Sequence, residues 1–402
     1  MTTSSLIADR PRLRMRPKTD ARRVRRGFPW VYANEVVLDR RTKALAPGTL
    51  AVLEDEARTA IGLVATNTQS KIVGRVIDRD PAAVVDPAWF ASRIARALDL
   101  RARLFDAPYY RLIHAEADGL PGVIVDRFGD TAVLQPNAAW AEARLDDLAA
   151  ALLDVTGVKT LIKNASGRTR ALEGLDSQTA VLAGQMPSEP IPVPMNGAAY
   201  MADVAGGQKT GLFFDQRPNH AFAQSVARDG RVLDMFSHVG GFGLAALAGG
   251  AKLALCVDGS APALALANRG AQEMGCEERL QTRQGDAFEV LAALKDEGAQ
   301  FELVICDPPA FAPSKSALDA GLRAYERVAR LATPLVAEGG ILGLCSCSHA
   351  ADLTKFCAAS VRGIGRAGRL PALLRTGFAG PDHPQLPQLA ESGYLKALFF
   401  RL

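Results

Sequence analysis

The stretch RVLDMFSHVGGFGLAALA, residues 231–248, constrains this chain more than any other. An apolar run ends in Asp234, and a turn containing Gly240, Gly241 and Gly243 opens directly into a run of small residues. A strand that hands over to a helix through glycines leaves unpaired N–H groups at the helix start and lets a ligand approach the backbone. The spacing is not G-x-G-x-x-G, and Asp234 sets a carboxylate where a dinucleotide lays its pyrophosphate, so NAD is disfavoured. A carboxylate there suits a cation. About 24 residues on, KLALCVD ends in Asp258, at the position where an acid binds ribose hydroxyls in such folds. A ribose, a cation and no phosphate describe S-adenosylmethionine. The competing reading is an ordinary βαβ unit with a glycine-rich turn, which the glycines alone would satisfy.

From Val232 onward the runs VLDMF, LALCVD, LQTRQGD, FELVICDPP, GGILGLCSCS and YLKALFFRL alternate with helical stretches such as PALALANRGAQEMG. That alternation predicts an α/β domain with a Rossmann-like, doubly wound and mostly parallel sheet, whose ligands bind at the carboxyl ends of the strands. Asp234, Asp258, Asp286, Asp307 and Cys347 are expected to close five successive strands.

A chain of 402 residues accommodates two or three domains at about 100–200 residues each. Residues 1–85 contain short β-branched runs (WVYANEVVL, GTLAVLED, AIGLVATN, IVGRVID) broken by Gly, Pro, Asn and Asp, predicting a small β-barrel. Residues 86–190 read as a compact α/β insert, with a helix over WFASRIARALDLRARLF and a hairpin in HAEADGLPGVIVDRFGDTAVLQP. The proline-rich PSEPIPVP reads as a linker, and residues 191–402 as the domain built on the glycine turn.

Charge is unevenly placed. The chain carries +4 in total, yet residues 10 to 41 hold eleven Lys or Arg against Asp20, Glu35 and Asp39. A basic N-terminal arm of this kind points to a polyanion partner, with a solvated tail as the bland alternative. Within it Arg22, Arg23, Arg25 and Arg26 are followed by Phe28, Trp30 and Tyr32, combining phosphate-binding charge with flat surfaces that stack on bases or fill a core. All six cysteines lie between Cys256 and Cys357 at no disulfide or zinc spacing, which predicts free thiols, no metal and a cytoplasmic protein. No uncharged apolar run reaches the length of about 18 residues that a membrane span needs.

Five blocks in order, RRGFPWVYANEV, HAEADGLPGVIVDRFGD, QKTGLFFDQRPNH, CDPPAFAPSK and CSCS, resemble the RlmI-type family of large-subunit ribosomal RNA cytosine-5 methyltransferases. The resemblance runs from about Arg12 to the C-terminus. It implies a PUA domain, a small middle domain sometimes called EEHEE, and a class I methyltransferase domain. It implies S-adenosylmethionine held by Asp234, Phe236, Ser237 and Gly240, by Asp258 and Gly259 at the ribose, by Asp286 and Ala287 beside the adenine, and by Asp307 and Gln216. Lys209, Asp215, Gln216 and Arg217 fall in an upstream element that wraps cofactor or target, although Asp215 and Arg217 also suit a capping salt bridge. Arg22, Arg23, Arg25, Arg26, Trp30, Lys209, Arg217 and Phe311 are the candidate substrate contacts. Ribosomal RNA is the implied partner, and oligomeric state is left open, a homodimer among the options.

Carbon 5 of cytosine is a poor nucleophile, so its methylation needs a thiolate to add at carbon 6 first. Cys347 matches the family's nucleophile position. Asp307, in Asp307-Pro308-Pro309, is the acid that meets the ring as charge develops. Cys345 is the competitor for nucleophile, while Cys306 reads as core. Another branch of RNA cytosine-5 enzymes carries a second cysteine after the corresponding Asp-Pro-Pro motif, but Ala310 stands here, so the group that removes the carbon-5 proton stays unassigned. Two rivals remain: a methyltransferase acting on a guanine or adenine nitrogen, with Cys347 inert, and a non-catalytic RNA-binding or ribosome-assembly protein.

Overall fold

The computed structural model describes residues 9–206 and 211–402. The chain forms two compact units, one of residues 1–186 with 381–389 and the other of residues 187–380 with 390–402.

The first unit holds two sheets. Strands β1 (Arg12–Arg14), β2 (Trp30–Tyr32), β3 (Thr49–Glu54), β4 (Ala60–Thr66) and β5 (Ile72–Asp78) pair in the order β1-β3-β4-β5-β2. A bridge from Met15 to Val36 returns the first strand to the segment after β2, and the sheet curls into the expected barrel around Leu13, Val31, Leu53, Val64 and Val73. The basic segment is therefore folded rather than a free arm: it supplies β1, β2 and a helical turn at Ala21–Arg25 capped by Asp20. Residues 1–8 of the chain lie outside the described residues.

The second sheet comprises β6 (Tyr109–His114), β7 (Val123–Phe128), β8 (Thr131–Pro136), β9 (Thr160–Lys163) and β10 (Ala180–Ala183). The expected hairpin is β7–β8, turned at Gly129-Asp130 with Gly129 at φ +65°. Helices α1 (Pro87–Leu104, capped by Asp86) and α2 (Leu145–Thr156) pack on this sheet, burying Trp89, Phe90 and Trp140, the last two stacked 5.9 Å apart. Asp382, from the distant segment 381–389, is fully buried here. Its carboxylate accepts the Arg111 backbone N–H at 3.1 Å and its carbonyl the Arg101 guanidinium at 2.9 Å.

The second unit begins with a hairpin, β11 (Ile191–Met195) and β12 (Ala198–Ala202), in place of the linker that the prolines predict. Pro192 and Pro194 are tolerated because β11 is an edge strand, where alternate missing N–H groups cost no ladder bond. Asn196 and Gly197, both at positive φ, make the two-residue turn.

The seven-stranded sheet follows. Its strands are β13 (Arg231–Met235), β14 (Leu253–Asp258), β15 (Leu280–Gln284), β16 (Phe301–Cys306), β17 (Val336–Ser346), β18 (Ala372–Gly377) and β19 (Lys396–Arg401). They run in the order β15-β14-β13-β16-β17-β19-β18, parallel except for β19. Helices α3 (Arg217–Val226), α4 (Gly241–Ala248), α5 (Ala261–Glu273), α6 (Ala287–Asp296), α7 (Leu318–Ala332) and α8 (Leu353–Arg366) connect them. This is the predicted Rossmann-like architecture, with one strand more than the sequence patterning implies. β18 is an exposed edge strand with Leu373 and Leu374 about half exposed, so it lacks the apolar alternation of a buried strand. The strand order reverses between β13 and β16, the switch point at which such sheets bind ligands. Among the described residues no helix is long and apolar enough to cross a membrane.

Candidate active site

The five residues expected at strand ends are there. Asp234 is the penultimate residue of β13 and Asp258 ends β14, Asp286 lies two residues past β15, and Asp307 and Cys347 directly follow β16 and β17. Asp234 is fully buried, and its Oδ2 accepts the N–H groups of Phe242 at 3.1 Å and Gly243 at 2.8 Å. The carboxylate thus fastens the start of α4 to β13. Its other oxygen, Oδ1, is buried with no hydrogen-bond partner among the described residues. Burial raises the carboxyl to about 7, with Asp307 and Asp258 pushing the same way against the two amides. Three acids converging on one point, one with a buried oxygen unsatisfied, fit a cationic ligand such as a sulfonium.

The turn itself is strained. Phe236 sits at φ +61° and His238 at φ +50°, a left-handed conformation that side chains rarely adopt, and Gly240 follows at φ +83°. Only Gly240 answers to the turn. A Cβ at Gly243 would lie 2.4 Å from Cys256 Sγ, and one at Gly241 2.9 Å from His220 Nε2. Those two glycines are small so that α4 can pack on its neighbours, not to admit a ligand. Ser237 is buried within the turn, its N–H donating to the Val257 carbonyl at 3.0 Å.

Asp258 accepts the N–H groups of His238 at 2.9 Å and Ser260 at 2.8 Å, so it braces the glycine turn from the adjacent strand. Gly259 beside it has open space where a side chain would be. Asp286 caps α6, one oxygen accepting from Phe288 and Glu289, and Ala287 is the buried first residue of that helix. Asp307 accepts the Gln216 amide at 2.9 Å, and its own N–H reaches the Met235 carbonyl at 3.2 Å. Gln216 is oriented in turn by Asn219, fully buried, whose amide donates to Gln216 Oε1 at 2.6 Å. Asp215 accepts the Tyr394 hydroxyl at 2.6 Å, and the Arg217 guanidinium lies 5.6 Å from the Phe214 ring. Lys209 lies outside the described residues.

Around Cys347 the flanking serines face into the core. Ser346 Oγ donates to the Tyr325 hydroxyl at 2.9 Å, and that hydroxyl lies 2.7 Å from Ser348 Oγ. Ser348 Oγ also accepts the Ala312 N–H at 3.0 Å, joining the Asp307-Pro308-Pro309 loop to the Cys347 loop. With both neighbours anchored inward, Cys347 is half-buried and the more accessible of the pair. Cys345 is buried, as is Cys306, and burial pushes both thiols well above the ordinary value. Phe311 packs against Tyr325 at 5.0 Å and Phe288 at 6.4 Å, so it sits under the loop. Sequence reasoning does not select Asn219, Tyr325, Ser346 or Ser348. For the two serines, their alternation about Cys347 is the available signal.

In the first unit, two of the four candidate arginines are engaged internally. Arg23 pairs with Glu35 at 2.5 Å and lies 4.0 Å over Phe28, and Arg25 pairs with Asp55 at 2.5 Å. Arg22 and Arg26 are exposed and, among the described residues, form no ion pair. Trp30 donates its indole N–H to Glu116 at 2.7 Å and lies beneath Arg75, which leaves it half-buried rather than free to stack.

Comparison with known proteins agrees with this geometry. Residues 145–401 match the S-adenosylmethionine-dependent methyltransferase family, and residues 13–79 match a PUA-like domain. A ribosomal RNA large subunit methyltransferase of Deinococcus radiodurans is 34% identical, covering 99% of this chain and 100% of its own. Ribosomal RNA large subunit methyltransferase I of Vibrio cholerae is 33% identical over 93% of this chain and 95% of its own. Among solved structures, a Streptococcus mutans protein assigned as a SAM-dependent methyltransferase shares the fold with a TM-score of 0.81 at 20% identity, over 98% of this chain and 100% of its own. SMU.776, assigned as a methyltransferase and solved with S-adenosylhomocysteine, superposes with a TM-score of 0.83 at 20% identity over the same shares. The chain is S-adenosylmethionine-dependent, carries a PUA-like domain at its amino-terminal end, and belongs to the ribosomal RNA large subunit methyltransferase I family.

Proposed function

We propose that this protein methylates carbon 5 of a cytosine in large-subunit ribosomal RNA, with Cys347 as the covalent nucleophile and Asp307 as the acid that meets the ring. The observation that carries the reading is the pairing of an accessible Cys347 with Asp307 on loops joined by the Ala312–Ser348 hydrogen bond. The names of its relatives support the RNA substrate.

When bound, S-adenosylmethionine supplies a methyl group on a sulfonium, open to attack by carbon. Cys347 as thiolate adds to carbon 6 of the base, which makes carbon 5 electron-rich. Asp307, oriented by Gln216 and Asn219, stabilises charge on the ring during that addition. Loss of the carbon-5 proton after methylation lets the Cys347 sulfur depart with its bonding electrons and restores the double bond. Asp234 and Asp258 hold the turn against which the donor rests. Residues 1–85 act as the PUA-like RNA-binding domain, 86–190 as the middle domain and 191–402 as the catalytic domain, working in the cytoplasm. Arg22 and Arg26 contribute phosphate contacts that position the RNA without choosing the base.

The deciding experiment incubates Cys347→Ala enzyme with ribosomal RNA and labelled cofactor. Loss of transfer with retained S-adenosylhomocysteine binding is expected. Undiminished transfer would move the reaction to a ring or exocyclic nitrogen, where no thiol is needed, and no turnover by the unaltered protein would leave an RNA-binding role.

A further inference from the structure

Lys396 opens β19 and stands opposite Ser346 in the antiparallel ladder with β17. Its Nζ donates to the Ser348 carbonyl at 2.7 Å. Lys396 thus shares the core-facing side of the ladder with Ser346, and its ammonium ends at the backbone carbonyl of the residue next to Cys347. Lys396 is only 4% exposed.

An ammonium removed from water needs a counter-charge, and one carbonyl does not supply it. Among the described residues no carboxylate forms an ion pair with Lys396. The groups that act on it are Cys347, from the end of β17, and more weakly Asp352, from the start of α8. Asp352 is committed elsewhere, accepting the Lys355 side chain at 2.6 Å and its N–H at 2.8 Å. Tyr325 of α7 faces Cys347 from the core side, and Asp307 after β16 bears on Cys345. Neither offers Lys396 a charge. The sulfur of Cys347 is therefore the anion best placed to balance this buried cation. Burial draws the ammonium down to about 8, and the Cys347 sulfur pulls against it, as a thiolate–ammonium pair would.

We propose that Lys396 is a positioning residue whose ammonium holds Cys347 as a thiolate, on attack at carbon 6 and again on departure, a role that rests on the covalent reading above. The thiol proton is released to solvent. A sulfur lone pair forms the sulfur–carbon 6 bond and returns to sulfur when that bond breaks, while the ammonium keeps its three protons throughout. Thiolate fraction sets the rate of such chemistry, and neighbouring lysines are among the groups that raise it.

The test titrates the thiol directly in the full-length protein, without RNA or cofactor, so that it is independent of which base is methylated. Iodoacetamide labelling of Cys347 is followed by mass spectrometry of its peptide across pH, in the unaltered protein, Lys396→Met and Lys396→Arg. Half-maximal labelling in the unaltered protein is expected at lower pH than for an excised peptide of the same sequence. Lys396→Met is expected to move the midpoint up by about one pH unit, an approximately tenfold loss of thiolate below it, and Lys396→Arg to restore most of the shift. An unaltered-protein midpoint no lower than the peptide's overturns the proposal even if Lys396→Met does not fold. So does a midpoint that stays put in Lys396→Met while methyl transfer falls, since the lysine then only anchors the loop. A Cys347→Ala enzyme that still methylates RNA would defeat the covalent reading instead, and leaves the thiol titration as it stands.

Discussion

Gln216 donates its amide to the Asp307 carboxylate across 2.9 Å, joining positions 91 residues apart. That amide cannot flip freely, because Asn219 occupies its oxygen at 2.6 Å and reaches the Phe378 carbonyl at 3.3 Å. Asp307 is thereby aimed by a relay whose far end is fully buried. Asn219→Ala is expected to cost about 1–3 kcal/mol of stability from the unpaired Gln216 oxygen. It should lower kcat for methyl transfer far more than it weakens S-adenosylhomocysteine binding. Calorimetric melting and steady-state kinetics check both, and a variant that loses only cofactor affinity would remove Asp307 from the chemistry.

Asp234 yields a pH prediction. Its carboxyl is raised to about 7 in the folded protein, so between an unfolded value of about 3.9 and 7 the folded state binds more protons than the unfolded one. Its contribution to stability is complete below that interval and is lost as pH rises through about 7. A cationic ligand favours the carboxylate, so S-adenosylmethionine is expected to bind more tightly as pH rises towards 7 and to expel a proton on binding. Isothermal titration just below neutrality, in two buffers of different ionisation enthalpy, measures that proton. An identical heat in both buffers would show that Asp234 does not respond to the ligand.

Gly243 offers a packing prediction. Its missing Cβ would fall 2.4 Å from Cys256 Sγ and 3.5 Å from Asp234 Oδ2. Gly243→Ala is expected to destabilise the protein by about 1–3 kcal/mol through overpacking and to displace the N–H that Asp234 accepts. Cys256→Ala in the same chain clears the space, so the double variant should recover much of the lost melting temperature. Strict additivity of the two changes would mean that the contact does not limit the helix.

Arg22 and Arg26 carry the prediction for RNA binding. Replacing both by serine is expected to weaken binding across RNA sequences alike and to reduce the salt slope by about one for each phosphate that is no longer neutralised. Filter binding at several salt concentrations reads the slope. Arg23→Ser and Arg25→Ser instead remove ion pairs to Glu35 and Asp55, so their main effect is expected on the stability of the barrel.

The parts of the site legible in the sequence are those that one strand end displays by itself. Asp234, Asp258, Asp307 and Cys347 each follow a run of buried apolar residues, and parallel sheets place such termini together. Asn219, Tyr325 and Lys396 give no such signal. Tyr325 lies on an amphipathic helix, where an aromatic reads as core, and Lys396 stands just before an apolar run, where a lysine reads as a solvated flank. Their roles come from long-range packing that spacing does not encode. The β11 strand is hidden by its prolines, even though Asn196-Gly197 is a strong hairpin signal. The purpose of the glycines is only partly legible, because a missing side chain looks the same whether it makes room for a ligand or for a neighbouring thiol.

The segment 381–389 belongs to the first unit although the chain on both sides of it belongs to the second. The backbone therefore changes unit three times, and these units are not beads on a string. A fragment ending near Met186 would lack Asp382, leaving Arg101 and Arg111 without acceptors they use inside the first unit. Gene fusion or exchange of the amino-terminal half alone would remove both of those bonds and leave Arg101 and Arg111 only their ion pairs to Asp118 and Asp126. Inheritance of this architecture is accordingly a joint matter: the first unit can be exchanged among relatives intact only together with nine residues encoded almost at the other end of the gene.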